Sequence, residues 1–108
     1  MKTILACACL VWTAGVQAAP VHQCAAAASK QAQRLLTFHV GADDRIEVAP
    51  DVKVLAPMRN PANKKQLFDV LEVWGNVYKG QYRMHFIYAR MRGDCLLIGQ
   101  EILEHASL

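Results

Sequence analysis

Between positions 67 and 104 the chain reads as three consecutive strands rich in apolar and aromatic residues, 67–78, 81–91 and 95–104. Each break between runs carries a glycine, first Lys79-Gly80 and then Arg92-Gly93-Asp94. A period of two sends successive side chains to opposite faces of a strand, and glycine supplies the backbone freedom that tight turns demand. Three strands joined by connections this short form an antiparallel meander, because parallel neighbours need a crossover of a dozen or more residues. No other stretch of the sequence restricts the fold as strongly.

The apolar pattern also selects a register. With Lys79-Gly80 as a two-residue turn, Val77 falls opposite Tyr82, Gly75 opposite Met84, Val73 opposite Phe86 and Leu71 opposite Tyr88. Asp69 then meets Arg90 at the end of the face as an opposite-charge pair. A three-residue turn would mix Glu72 with Phe86 and Gly75 with Arg83, so burial favours the first arrangement. A two-residue turn at Arg92-Gly93 sets Cys95 opposite Arg90 on the same face, but it also carries Glu101 to that covered side.

A helix is predicted over 21–38, a stretch rich in alanine with Lys30, Gln31, Gln33, Arg34, Leu35 and Leu36, all strong helix formers. Val21, Cys24, Ala28, Leu35 and Phe38 recur at helical spacing and define one apolar stripe. Gly41 suits a C-terminal stop, and Arg34 and His39 suit the negative end of the helix dipole. Residues 45–55 alternate through Ile46, Val48, Val52 and Val54 around Pro50, which reads as a strand pair or one bent edge strand. The segment 56–66, with Pro57, Asn60, Pro61, Arg59, Lys64 and Lys65, reads as a basic surface loop. The expected fold is α+β: one N-terminal helix packed across a four-stranded antiparallel sheet, in a single domain over 19–108.

Residues 1–18 have the pattern of an export signal. Lys2 gives the positive start, 4–11 an apolar run extended through Trp12, and Val16-Gln17-Ala18 the small residues that precede cleavage. The run is shorter than the roughly 20 residues needed to span a bilayer, so no membrane span is expected after cleavage. Removal takes Cys7 and Cys9 and leaves Cys24 and Cys95, an even pair in an oxidising compartment and therefore an expected disulfide. Periplasmic or secreted localisation follows. Apolar residues make up 54% of the 108-residue chain and the formal charge is only +3, a composition that excludes disorder. No basic stripe interleaved with aromatics is present, so nucleic acid is not the leading partner. His22, His39, His85 and His105 are scattered, with neither Cys-x-x-Cys nor His-x-x-x-His spacing, and no metal or cofactor is expected. His22 and His105, near the ends, are expected at the surface.

Function is sought on the solvent side of the sheet. In the register above, that side carries Glu72, Trp74, Asn76 and Tyr78 on one strand and Arg83, His85 and Ile87 on the next. Trp74 lies opposite His85, Arg83 opposite Asn76, and Glu72 diagonal to His85. A large indole beside Arg, His and Tyr has the composition of a binding patch, so Trp74, Tyr78, Arg83 and His85 are the expected binding residues. The expected activity is that of a small exported binding protein, such as an inhibitor, an immunity factor or an accessory subunit of an envelope complex. Its partner would be another envelope or secreted protein. Two other readings use the same residues. Glu72, Arg83 and His85 would serve as base, charge stabiliser and acid in a secreted hydrolase of ribonuclease-like chemistry. A structural subunit would self-associate through the outer face or the free edge near Pro50.

Overall fold

The computed structural model describes residues 21–105, together with Cys9. The expected export signal, 1–18, otherwise lies outside the described residues. One helix, α1 (Ala25–Val40), is followed by β1 (Ile46–Val54), β2 (Met58–Asn60), β3 (Asn63–Val77), β4 (Gly80–Arg90) and β5 (Cys95–His105). The strands form one antiparallel sheet in the order β1-β3-β4-β5, with β2 beside β3 as well. The α+β expectation holds, with one strand more than the four counted from the sequence.

That extra strand comes from the segment read as a basic loop. β3 is 15 residues long and lends one edge to two partners, β1 along 71–77 and β2 along 63–68. Asn60 and Pro61 are turn formers because they build the β2–β3 hairpin: the Asn60 side chain accepts from the Ala62 amide at 2.9 Å and donates to Gln66 at 2.8 Å. The Arg59 guanidinium donates to the Lys64 carbonyl at 2.9 Å, so the basic residues lie along a hairpin.

The helix begins later than expected and presents a different stripe. Cys24, Ala25, Ala28, Ala32 and Leu36 are buried, whereas Val21 and Phe38 are 84% and 88% exposed. Close approach explains the choice. A Cβ on Gly75 would lie 2.7 Å from Leu36 Cδ2, so the helix rests on the sheet where alanine and glycine leave the least bulk. Leu71, Val73, Tyr82, Met84, Phe86 and Tyr88 complete the core beneath it.

The β3–β4 turn lies one residue earlier than in the sequence reading, which slips the pairing by two. It consists of Tyr78 and Lys79, with Val77 opposite Gly80, Gly75 opposite Tyr82, Val73 opposite Met84 and Leu71 opposite Phe86. A slip of two keeps every side chain on its expected face. Gly80 misled the reading because it serves contact instead of the turn: a Cβ there would meet the Tyr82 ring at 3.1 Å. Tyr78 takes the left-handed φ of 54° that the turn requires. Asp69 now faces Tyr88, yet the Arg90 Nε still reaches Asp69 Oδ1 at 2.8 Å along the diagonal.

The second turn is as expected, with Arg90 opposite Cys95, but β5 then bulges. Tyr88 pairs with Leu97 and Ile87 with Gly99, which leaves Ile98 as an extra residue. The bulge reverses the alternation, so Glu101 faces outward beside His85 and not the helix.

The start of the helix is tied to the sheet by several bonds. Cys24 and Cys95 form the expected disulfide, with Cα atoms 5.6 Å apart and a sequence separation of 71. Gln23 Nε2 donates to the Met91 carbonyl at 2.8 Å. His22, expected at the surface, is part-buried. Its Nδ1 accepts the Cys24 amide at 3.0 Å, which places the ring proton on Nε2, and Nε2 donates to Asp69 Oδ2 at 3.1 Å.

Candidate functional site

β3 and β4 lie in the middle of the sheet, and α1, the single helix among the described residues, covers the other face. On the outer face Glu72 sits directly opposite His85, and His85 opposite Glu101. Trp74 is opposite Arg83, not His85 as the sequence register had it, and Asn76 is opposite Gln81, not Arg83.

Glu72 is the centre of a connected polar group. It is only 8% exposed although it points away from the main core. Its Oε1 accepts the Trp74 indole N–H at 2.9 Å, and its Oε2 lies 2.8 Å from His85 Nε2. His85 Nδ1 lies 2.6 Å from Glu101 Oε1. The imidazole therefore bridges the two glutamates, with each ring nitrogen within hydrogen-bond distance of one carboxyl group. Burial works to raise the pKa of Glu72, but the hydrogen bonds from His85 and Trp74, with the charges of His85 and Arg83, outweigh it and hold the carboxyl below its ordinary value.

The sign of the resulting pH dependence follows directly. A carboxylate whose pKa is depressed by folding stabilises the fold fully above the unfolded-state value and loses that contribution as the pH falls through the folded value. Urea unfolding at neutral pH and at pH about 3 should show an acid loss in the parent chain that is smaller in Glu72→Gln. Equal acid losses in the two would disconnect Glu72 from the effect.

Trp74 is half-buried, propped by Glu72 below and by the His105 ring at a centroid distance of 5.0 Å beside it. His105, expected to be exposed, is part-buried by this contact. Its Nε2 is a buried atom without a hydrogen-bond partner among the described residues. Leu103 is 50% exposed opposite Arg83, and with Arg83, His85 and Glu101 it lines a cavity of about 180 Å³. That volume lies below the usual range of small-molecule sites. A larger cleft of about 610 Å³ opens elsewhere, between the start of the helix and β1, walled mostly by alanine, valine and Pro50.

The four residues expected to bind do not form one cluster. Trp74, Arg83 and His85 are together. Tyr78, in the β3–β4 turn, is 70% exposed and belongs to a separate group: the Arg45 guanidinium stands 5.1 Å above its ring and Lys79 Nζ 5.5 Å. Asp43 aims that guanidinium through contacts of 3.0 and 2.8 Å, and the side-chain bond to Arg45 holds the Asp43 pKa down to about 2. Glu101, Leu103 and His105 were missed as outer-face residues. Only the bulge brings them there, and its one mark in the sequence is Gly99, which adjoins the extra residue Ile98.

Among the described residues no three His, Cys, Asp or Glu side chains are placed to hold a metal ion, and no helix is long and apolar enough to cross a membrane. Compared with family models, curated proteins and solved structures, the chain finds no match. Fold and geometry define a disulfide-stapled α+β chain whose outer sheet face carries no helix among the described residues.

Proposed function

We propose that this chain is exported, loses residues 1–18, and works as a small binding protein that captures another envelope or secreted protein on its outer sheet face. The observation that carries this reading is the support given to Trp74. A buried carboxylate, itself fixed by His85, holds the indole N–H, so the ring is oriented on a face that no helix covers among the described residues. A rigid, half-exposed indole loses little entropy on contact, and such anchors dominate interface energies. Arg83 opposite it and Leu103 beyond supply a charge and an apolar flank. The Cys24–Cys95 bridge accords with an oxidising compartment.

The same geometry weighs against the hydrolase reading. Both oxygens of Glu72 are engaged by donors, and both nitrogens of His85 face carboxylates, so neither is free to move a substrate proton. Affinity capture from the envelope fraction with the exported protein as bait tests the proposal, using Trp74→Ala as the control. The variant should keep its urea midpoint to within about 1 kcal/mol of stability and bind the captured partner about thirtyfold more weakly or worse. Unfolding of the variant would place Trp74 among the structural residues and remove the patch. Cleavage of RNA by the purified protein, lost in His85→Ala, would replace this proposal with the hydrolase.

A further inference from the structure

The two outer edges of the sheet are unequal. β1 is irregular between Val48 and Val52, where Pro50 lies, and irregularity and proline both discourage pairing with a further strand. β5 borders the other side. Beyond its bulge it runs regularly from Gly99 to His105 with neither proline nor lysine. The helix flank above this edge is also unfinished. Phe38 is 88% exposed, and a cavity of about 380 Å³ lies between Gln31, Arg34, Leu35, Phe38 and Gln100. Gln31 Nε2 donates to Gln100 Oε1 at 2.9 Å, which fixes the helix to the strand at that point.

We propose that this flank receives a second copy of the chain, with β5 pairing antiparallel to β5 of the second copy about a two-fold axis at Ile102. Charge and parity select that centre. On β5, Gln100, Ile102 and Glu104 face the helix side, opposite Phe86, Met84 and Tyr82. An axis at Ile102 sets Gln100 opposite Glu104 of the second copy, which brings that carboxylate to the place where Gln31 and Arg34 line the cavity. Symmetry makes the Arg34–Glu104 pair twice. Parity allows only centres on a residue, and moving the axis to Glu101 sets that carboxylate against its own copy, a like-charge pair. Moving it toward Ile98 puts the bulge at the centre. The same two-fold carries Phe38 of each copy toward the cavity of the other, so one closed, isologous contact covers the edge that is unpaired among the described residues and the exposed Phe38 ring together. The outer faces then lie side by side in one continuous sheet, and Trp74 takes no part in the contact.

Sedimentation equilibrium of the full mature chain tests this. The parent should form a dimer. Arg34→Glu and Glu104→Arg should each weaken it about tenfold or more, and the double variant, which restores opposite charges across the axis, should recover most of the loss. Urea midpoints of the variants confirm that they fold. As a second measurement, Ile102→Cys should form an intermolecular disulfide on mild oxidation, because this register sets position 102 against itself. A monomer at millimolar concentration, a dimer indifferent to both charge reversals, or a double variant no better than the singles overturns the proposal. Loss of the dimer in Trp74→Ala would assign the contact to the outer face and overturn it equally.

Discussion

Replacing Cys24 and Cys95 together by alanine should lower the unfolding free energy by about 4 kcal/mol, read from urea unfolding of the oxidised parent and the double variant. The figure comes from the freedom the unfolded chain regains when a bridge across 71 positions is removed. For a domain of this size that is a large part of the total stability. The folded state loses less than the unfolded state gains, because His22–Asp69 and Gln23–Met91 still hold the start of the helix to the sheet. The double variant should therefore keep its far-UV circular dichroism in the absence of denaturant at low temperature. A loss below about 1 kcal/mol would show that the unfolded chain is already constrained by other means.

The second large effect lies where helix and sheet approach most closely. Leu36 is fully buried, and its Cδ2 stands where a side chain on Gly75 would begin. Leu36→Ala should cost about 3 kcal/mol, the sum of lost burial and the cavity left behind. Gly75→Ala in the parent should cost about 1–3 kcal/mol, because its Cβ would lie 2.7 Å from Leu36 and 3.1 Å from Met84 in a packed core. The two changes oppose each other in space. Combined, they should cost about 1 kcal/mol less than the sum of the singles, since the new methyl group occupies room that Leu36 vacates. Strict additivity in the double-mutant cycle would mean that the two residues do not share that space.

The fold was legible where burial and alternation agree. Leu71, Val73, Met84 and Phe86 could only face a core, and any register that kept them together gave the right faces for β3 and β4. The two-residue slip went unseen because parity is blind to it, and because Gly80 advertised a turn while serving the Tyr82 ring. β2 was hidden by its own turn formers: Asn60 and Pro61 read as loop when the strand they end is three residues long. The helix face was misjudged because Leu35 and Leu36 are equally apolar, and only the gap at Gly75 decides between them. For the candidate site, Trp74, Arg83 and His85 were legible as neighbours from strand parity. Glu72 was already placed diagonal to His85 and lies directly opposite it; the further link to Glu101 was not legible, because it depends on the bulge at Ile98, whose one mark in the sequence is the adjoining Gly99. Tyr78 was grouped with Trp74 by parity, whereas the turn draws it toward Arg45.

The extra residue at Ile98 gives the last strand two opposite rules of address. Before it, odd positions such as Cys95 and Leu97 look toward the helix, and after it the even ones, Gln100, Ile102 and Glu104, do so. A chain shortened by one residue there would keep its composition almost unchanged yet turn the six side chains from Gln100 to His105 inside out. Length at this one position is therefore as much a part of the message as the identity of any residue that follows.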